Sequence, residues 1–444
     1  MNKLRLTSLA DDRLAGLVDF YEELHRNPEL AFQEFKTSTT LASKVCQLGF
    51  SVRTRIGGTG LVATLTNGDG PTIVLRADMD ALPIQEDTGL SYSSTTTSID
   101  SSGISTPVMH ACGHDIHMVA MLGAAEVLAS NTSEWSGTLV VLFQPAEEVG
   151  AGAQAMIDDG VFSHFPHPRV ILGQHVGNGP AGTISYTSGP AMAAADSLRV
   201  TITGRGAHGS RPEAAIDPIV IASSIVLKLQ TIVAREISPS NVAVVTVGSL
   251  HAGTKENIIP ATAELKISLR SLLPPVRTHL LTAVERIVRG ECLAAGVEVE
   301  PQIEAIGAFP RLVNEAAGLG RTVTALEAGL GIENVVAVPP ITISEDFGLF
   351  GTTANVPSFF WFIGSTDPER FAQAISDDSV DRLIPANHSA EFAPVPRRTI
   401  ATGIDALLLA FSAWSEPNND APMNQGIRSD ILNTDGIGSD KRVR

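Results

Sequence analysis

The sequence has few cysteines, no surplus of basic charge and no long uninterrupted hydrophobic run. Its 444 residues include three cysteines, Cys46, Cys112 and Cys292. This sparse, odd number argues against a disulfide scaffold and favours a reducing, cytoplasmic location. We predict that Cys46 and Cys292 are buried packing residues. Two aspartates near the start of the chain occupy positions where a signal peptide would be apolar, so we expect no signal sequence.

The acidic balance excludes further classes of partner. The chain has 48 Asp and Glu residues against 31 Lys and Arg residues, a formal net charge of -17. Because no basic surplus is available to neutralise phosphates, we expect neither a nucleic-acid nor a membrane partner. We also expect no membrane helix, because no window approaches the ~18 apolar residues that such a helix needs.

Continuous apolar runs that end abruptly in polar residues predict a parallel sheet. Such runs are PTIVLRADMD, GTLVVLFQPAEE and RVILGQHV, and they are typical of strands buried on both faces. Helix-like stretches separate them, so we predict the α/β class, with a mixed, mostly parallel sheet flanked by helices. The stretch before the first run, GLVATLT, reads as a strand joined to it by the turn NGDG.

Polar residues follow these runs where ligand sites of α/β sheets lie, at the carboxyl ends of strands. The residues at these ends are Asp78, Asp80, Glu147, Glu148 and His175.

The pattern changes near residue 190, where apolar and polar side chains begin to alternate, as in DSLRVTITG and ATAELKISLRS. Alternation is typical of half-exposed antiparallel strands. We therefore predict a smaller α+β domain inserted into the larger one. The predicted division is a first catalytic part at 1–190, an inserted lid and dimerisation domain at 191–305, a second catalytic part at 306–414 and a disordered polar tail at 415–444.

The run MHACGHDIH at 109–117 concentrates metal-binding side chains. Thiolate and imidazole are preferred ligands of zinc and similar ions, and Cys112 and His114 lie two positions apart in a glycine-containing loop. The pair alone is a weak signal, since an isolated histidine is more often structural. Glu147 and Glu148 are adjacent, so one carboxylate can bind a metal while the other faces water on it. With His175 and His388 added, the donors suit two adjacent metal ions.

Eight motifs occur in one order along the chain, and together they carry a family resemblance. They are LRADMDALP, MHACGHDIHMVAMLGAA, FQPAEEVGAGAQAMIDDGVF, GRGAHGSRPEAAIDPI, ENIIPATAEL, FPRLVNEA, SEDFGLF and NHSAEF. The sequence resembles the M20 metallopeptidase superfamily, and within it the amidohydrolase branch of aminoacylases, hippurate hydrolases and auxin-conjugate hydrolases. The resemblance implies a zinc-exopeptidase-like catalytic domain with an inserted lid.

The resemblance also implies roles for the donors. It assigns two divalent ions per subunit to five ligands: Cys112, His114, Glu148, His175 and His388. Cys112 is expected to bridge the ions, Glu147 to act as the general base, and Asp78 to orient a ligand imidazole. The thiolate favours zinc, while manganese, cobalt or nickel support this chemistry in relatives.

Three lid residues complete the implied site. In the resembled family the position of His208 binds the oxyanion in the neighbouring subunit's site, which implies a homodimer or a larger homo-oligomer. Asn257 and Arg270 match positions that hold the substrate carboxylate, and a guanidinium suits that planar group. The histidines His25, His110, His117 and His251 are taken as structural.

The expected reaction is metal-dependent hydrolysis of the amide bond of an N-acyl-L-amino acid, with N-acylglutamine as one candidate. Two alternatives stay open. One is a carboxypeptidase or dipeptidase of the same fold; Arg76 and Cys112 speak against it, because the peptidase branch has a histidine ligand where this chain has Arg76. The other is a non-catalytic binding protein that kept the fold, which should have lost ligands or base.

Overall fold

The computed structural model describes residues 10–100 and 102–416. These residues form strands that we number in chain order: β1 (Ser51–Ile56), β2 (Gly60–Asn67), β3 (Thr72–Asp78), β4 (Thr97–Ile99), β5 (Ser105–Pro107), β6 (Gly137–Gln144), β7 (Pro168–Pro180), β8 (Ile184–Tyr186), β9 (Gly189–Met192), β10 (Ala194–Thr203), β11 (Ala207–His208), β12 (Ala243–Ala252), β13 (Ile258–Ile259), β14 (Thr262–Ser271), β15 (Gln302–Phe309), β16 (Leu312–Asn314), β17 (Val335–Ala337) and β18 (Ser358–Thr366).

The α-helices of the described residues are numbered in the same way. They are α1 (Asp11–Arg26), α2 (Phe35–Gln47), α3 (His114–Ser130), α4 (Gly152–Asp158), α5 (Pro218–Thr231), α6 (Pro274–Ala294), α7 (Ala316–Leu330), α8 (Gly348–Ala354), α9 (Pro368–Ser376), α10 (Val380–Leu383) and α11 (Pro396–Ser415).

The larger layer is an eight-stranded sheet in the order β1-β2-β6-β3-β7-β18-β8-β17. Its central strands β6, β3, β7 and β18 are parallel neighbours. Every residue of β3 and β6 is buried, as continuous apolar strands covered on both faces require. Side chains of β3 alternate between two apolar clusters, Ile73 and Leu75 on one face and Val74 on the other. The predicted α/β class with a mixed sheet flanked by helices is confirmed; we call this unit the body.

The predicted pairing of β2 with β3 across the turn NGDG is wrong. Strand β6 lies between them, antiparallel to β2 and parallel to β3. The turn instead receives the start of β6: Asn67 donates hydrogen bonds to the carbonyl oxygens of Thr132 and Trp135, and the amide of Thr138 donates to that of Pro71. Contacts from a segment about seventy positions later therefore override the local hairpin signal.

A second sheet, antiparallel throughout, lies between chain segments that enter the body. Its order is β12-β14-β10-β15, and α5 and α6 cover it with a separate apolar cluster. We call this unit the lid. Its last strand runs to Phe309, beyond the predicted boundary at 305. The division of the chain at 190, 305 and 414 stays a prediction, and residues 417–444 of the predicted tail lie outside the described residues.

Two expectations are corrected, one about a membrane helix and one about the burial of a cysteine. Residues Pro218–Glu236, which include α5, are long and apolar enough to cross a membrane by length and composition alone. This helix is apolar on two faces: Ile225 and Leu229 are buried in the lid, whereas Leu227 is exposed. Cys292 is buried as predicted, but Cys46 is exposed, because Val45 takes the inward position at that turn of α2.

Candidate metal centre

A tight turn places Cys112 and His114 on the same side of the chain. Helix α3 begins at His114, and the preceding Gly113 adopts a φ of 82°. A Cβ at Gly113 would lie 3.2 Å from the side chain of Val176, so glycine both permits the left-handed turn and lets it lie against β7.

The other donors reach this turn from distant parts of the chain. His175 was expected at the end of a strand, but β7 continues past it to Pro180 because it stays paired with β18. His388 lies in a loop tied to the turn, since its amide donates to the carbonyl oxygen of Ala111 at 2.8 Å. The neighbouring Asn387 donates to the carbonyl oxygen of Cys112 at 3.1 Å.

The thiol of Cys112 contacts two of the predicted histidine ligands. Its Sγ is 3.4 Å from Nε2 of His175 and 3.3 Å from Nε2 of His388. The carboxylate of Glu148 connects the two sides, with Oε2 3.2 Å from Nε2 of His388 and Oε1 3.7 Å from Nε2 of His114. The structure thus brings all five predicted ligands together.

The donor atoms fall into overlapping groups, each with atoms within 4.8 Å of one another: Cys112, Glu148 and His388; His114, Glu147 and Glu148; Asp78, His114, His117 and His175; and Glu147, Glu345 and Asp346. The first two groups share Glu148, so one carboxylate reaches two neighbouring positions. This arrangement fits a pair of cations better than a single one.

Unpartnered polar atoms test whether these residues fit metal ions. Nε2 of His114 and Oε1 of Glu148 are buried and have no hydrogen-bond partner among the described residues. Buried polar atoms normally have one, so both atoms are suited to a ligand that the polypeptide does not supply. Sulfur, nitrogen and oxygen donors together suit zinc and similar divalent ions, so the side chains fit the implied metal pair.

Local electrostatics also favour cations. Burial and the carboxylate of Glu148 raise the pKa of Cys112 well above its usual value. Burial alone would lower the pKa of His114, but Asp78 and Asp80 outweigh it and raise this pKa to about 10. Nearby carboxylates thus favour positive charge at this site. Either protons or metal ions can supply that charge.

The Nδ1 atoms of the two histidines have different surroundings. Nδ1 of His175 lies 2.8 Å from the carbonyl oxygen of Val176, whereas Nδ1 of His114, 3.4 Å from Oδ1 of Asp80, has no hydrogen-bond partner among the described residues. Asp80 also accepts the amide hydrogens of Glu147 at 3.1 Å and Glu148 at 3.0 Å. Asp80 thus fixes the backbone of the two glutamates, a role that the sequence did not assign, although its position at a strand end was a signal.

Asp78, predicted to orient a ligand imidazole, contacts a different histidine. Its Oδ1 lies 2.5 Å from Nδ1 of His117, and its Oδ2 lies 3.8 Å from Nε2 of His114. Nε2 of His117 accepts the amide hydrogen of Val176 at 2.8 Å, so His117 joins Asp78 to the strand that carries His175. The helical spacing of His114 and His117 was the signal that both face the same side.

Arg76 is fully buried among carboxylates. It donates to Asp78 at 2.7 Å and to Glu345 at 2.8 Å, and it lies 3.4 Å from Asp346. Burial, Glu345 and Glu148 raise the pKa of Glu147 well above its usual value. Glu345 and Asp346 belong to the motif SEDFGLF, to which no role was assigned.

The three lid residues do not join the donors of this chain. His208 and Asn257 are exposed, and they are neighbours because the amide of Gly209 donates to the carbonyl oxygen of Asn257 at 2.8 Å. Arg270 donates to the carbonyl oxygen of Thr342 at 2.8 Å, in the loop that leads to Glu345. The structure therefore places Arg270 between lid and body.

A family model matches residues 74–383, and it describes peptidase family M20/M25/M40. The hippurate hydrolase of Campylobacter jejuni is 38% identical over 330 residues, covering 74% of this chain and 83% of that protein. The N-acetyl-L-cysteine deacetylase of Bacillus subtilis is 36% identical over 355 residues, covering 79% and 80%. The thermostable carboxypeptidase 2 of Saccharolobus solfataricus is 33% identical over 381 residues, covering 85% and 90%.

Solved structures include proteins with the same fold. A protein of methicillin-resistant Staphylococcus aureus superposes with a TM-score of 0.79 at 29% identity, covering 94% of this chain and all of that one. The YXEP protein of Bacillus subtilis, a dinuclear metal-binding peptidase of the M20 family, superposes with a TM-score of 0.69 at 28% identity, covering 92% of this chain and 100% of that one.

Proposed function

Because the chain belongs to peptidase family M20/M25/M40, we propose that it hydrolyses the amide bond of N-acyl-L-amino acids at a two-metal centre. Its relatives support metal-dependent hydrolysis of amide bonds in general. The proposal adds the class of substrate. The observation that carries it is the position of Glu147, a buried carboxylate 4.0 Å from Nε2 of His114 and outside the Cys112 group.

Cys112, His114, Glu148, His175 and His388 would hold the two divalent ions. Bound divalent ions supply Lewis acidity, which lowers the pKa of water toward ~7 and polarises a carbonyl oxygen. Glu147 takes the proton of the attacking water. It then passes this proton to the amine nitrogen as the bond between acyl carbon and nitrogen breaks. The raised pKa of Glu147 suits both transfers.

The amino-acid half of the substrate is held by the lid. Arg270 lies at the junction of lid and body, and its guanidinium offers paired donors to a carboxylate. Asn257 is the second group on this carboxylate, and His208 is the donor to the oxyanion. Both residues are exposed on one chain, which supports a role for them in the site of a neighbouring subunit of the proposed homodimer or larger homo-oligomer.

The outer face of α5 is the proposed subunit contact. Val220 is 65% exposed and Leu227 is 73% exposed, although the opposite face of the helix is buried in the lid. Strand β12 lies beside it as an edge of the lid sheet and can pair with another chain. An apolar helix face next to an open strand edge suits a symmetric contact between two lids.

Zinc is the proposed metal because of the thiol, with manganese, cobalt or nickel as substitutes. N-acylglutamine is one proposed substrate, and the sparse cysteines support a cytoplasmic location. A carboxypeptidase is the second candidate, favoured by the 33% identity to a relative of that name. Turnover of a panel of N-acyl-amino acids against peptides with free amino termini separates the two.

The test of Glu147 is its replacement by glutamine, which keeps size and removes basicity. We expect the Glu147→Gln variant to bind two metals per subunit, measured by elemental analysis, and to lose about 10²- to 10⁴-fold in kcat. Turnover near the parental rate with full metal content contradicts the assignment of Glu147 as the base.

A further inference from the structure

Carboxylates from remote segments bind the backbone of residues 145–148, which we call the acidic turn. The amide of Ala146 donates to Oε1 of Glu34 at 2.8 Å, and the next two amides donate to Asp80. We propose that Glu34 is a positioning residue for Glu147: it fixes the backbone of the acidic turn so that this carboxylate faces the metal centre. The inference rests on the proposed role of Glu147 as the base.

The backbone of the acidic turn adopts an unfavourable conformation. Ala146 is buried and has a φ of 51°, a left-handed conformation that is unfavourable for a residue other than glycine. The chain then folds back tightly, since the amide of Gly152 donates to the carbonyl oxygen of Ala146 at 3.1 Å. A Cβ at Gly152 would lie 1.6 Å from the carbonyl oxygen of Pro145. Without an outside partner, the amide of Ala146 would also be buried and unsatisfied.

The side chain of Glu34 does not serve the helix that it precedes. It stands at the N-cap of α2, yet its side chain makes no capping hydrogen bond to that helix. Glu29 serves α2 instead, accepting the amide of Thr37 at 2.8 Å and that of Lys36 at 3.2 Å. The carboxyl group of Glu34 turns away from its own helix to a turn 112 positions later.

The surroundings of Glu34 make the burial of its carboxyl group energetically unfavourable. It is fully buried, and its second partner is the hydroxyl of Thr59, which donates to Oε2 at 2.5 Å. Burial and the charge of Asp80 raise the pKa of Glu34 to about 7. Burying a carboxyl group between an amide and a hydroxyl stabilises a fold less than apolar packing would. Its benefit lies in fixing the acidic turn.

The experiment compares substitutions of Glu34 with a matched substitution of Glu29. Glu34→Leu removes the acceptor, Glu34→Asp shortens its reach, and Glu34→Gln keeps an acceptor for Ala146 and a donor for Thr59. Glu29→Leu is the control, because Glu29 lies in the same loop between α1 and α2. Among the described residues its carboxylate accepts hydrogen bonds from backbone amides of α2 and from the hydroxyl of Thr37. Each full-length variant is compared for amide hydrogen exchange, zinc affinity by chelator competition, and kcat and KM.

We expect Glu34→Leu to speed hydrogen exchange in the peptide spanning 144–152, to weaken zinc binding and to lower kcat about 10- to 100-fold, with little change in KM. Glu34→Gln should restore all three properties to within about threefold, and Glu34→Asp should fall between. Glu29→Leu should lower the melting temperature without these effects.

The proposal is overturned if Glu34→Leu matches Glu29→Leu in exchange and in kcat. If Glu34→Leu does not fold, parental exchange and kcat in Glu34→Asp overturn it equally. Hydrogen exchange and zinc affinity need no substrate, so they decide the role of Glu34 even if the parental enzyme cleaves no N-acyl-amino acid.

Discussion

Two consecutive glutamates have opposite electrostatic surroundings. Burial and the carboxylates of Glu345, Glu148 and Asp346 raise the pKa of Glu147. Burial also favours the neutral form of Glu148, but the hydrogen bond with His388 and the charge of His114 lower its pKa below the ordinary value. One carboxylate is thus prepared to hold a proton and the other to hold a cation, a division set by neighbours rather than by residue type.

Metal binding should release protons, because His114 and Cys112 both have raised pKa values. At pH 7.5 they carry protons that a cation must displace, so metal affinity should rise with pH. Calorimetric titration of the metal-free protein with zinc, in two buffers of different ionisation enthalpy, should give about one to two protons released per subunit. A value of zero would contradict the assignment of these residues as ligands.

The clustering of the candidate metal donors was predictable from residue type, because Cys112, His114 and Glu148 stand in short motifs with recognisable chemistry. Asp80 and His117 left weaker signals, since each lies near a predicted ligand. Glu34 left none: the partner of its carboxylate is a backbone amide, which has no sequence identity, and 112 positions separate the two.

At the scale of elements, a buried histidine joins three segments behind the metal centre. Nδ1 of His25, on α1, lies 2.6 Å from Oδ2 of Asp115 on α3, and its Nε2 lies 3.2 Å from Oε1 of Glu86. The rings of Tyr21 and Tyr92 lie against it, at centroid distances of 5.6 and 5.4 Å. The first turn of α3, which carries His114, is thereby fixed to α1.

This cluster predicts a pH-dependent stability. Burial alone would lower the pKa of His25, but the hydrogen bonds to Asp115 and Glu86 raise it from 6.5 to about 9. A raised folded-state pKa gives stability that is complete below pH ~6.5 and lost as pH rises through 9, on the order of 3 kcal/mol in total. Urea titrations from pH 6 to 10 should show this loss in the parent and a flatter profile in His25→Gln. Equal slopes would contradict it.

Element types followed the sequence closely where one physical signal dominated. The fully buried β3 and β6 read as continuous apolar runs, and the lid strand β14 alternates buried and less buried residues. Pairing order did not follow, because β6 inserts between β2 and β3 through contacts that neither strand encodes alone. The apolar outer face of α5 likewise raises its hydropathy beyond what the lid core requires.

At the scale of the whole molecule, the chain separates its chemistry between two units. The body carries the candidate metal donors, whereas the lid carries His208 and Asn257 on its exposed surface, at the pair of strands β11 and β13. Arg270 connects the two units through hydrogen bonds to the loop at 342–344. In the proposed mechanism a neighbouring lid completes the site, so activity depends on assembly.

Disrupting the outer face of α5 should test this dependence. Leu227→Glu places a charge on the proposed contact, so we expect a monomer by light scattering and a loss of at least about 100-fold in kcat/KM. Leu293→Glu is the control, because Leu293 is 80% exposed on α6 of the same lid. A monomeric Leu227→Glu enzyme with parental activity would contradict the role of His208 across subunits.

The spacing of the ligands along the chain has a consequence for biosynthesis. Cys112 and His388 are 276 positions apart, and the loop that carries His388 hydrogen-bonds to the turn beside Cys112. A nascent chain therefore exposes its thiol to the cell long before the last imidazole leaves the ribosome. If these residues hold the metal pair, we expect loading to follow the synthesis of His388.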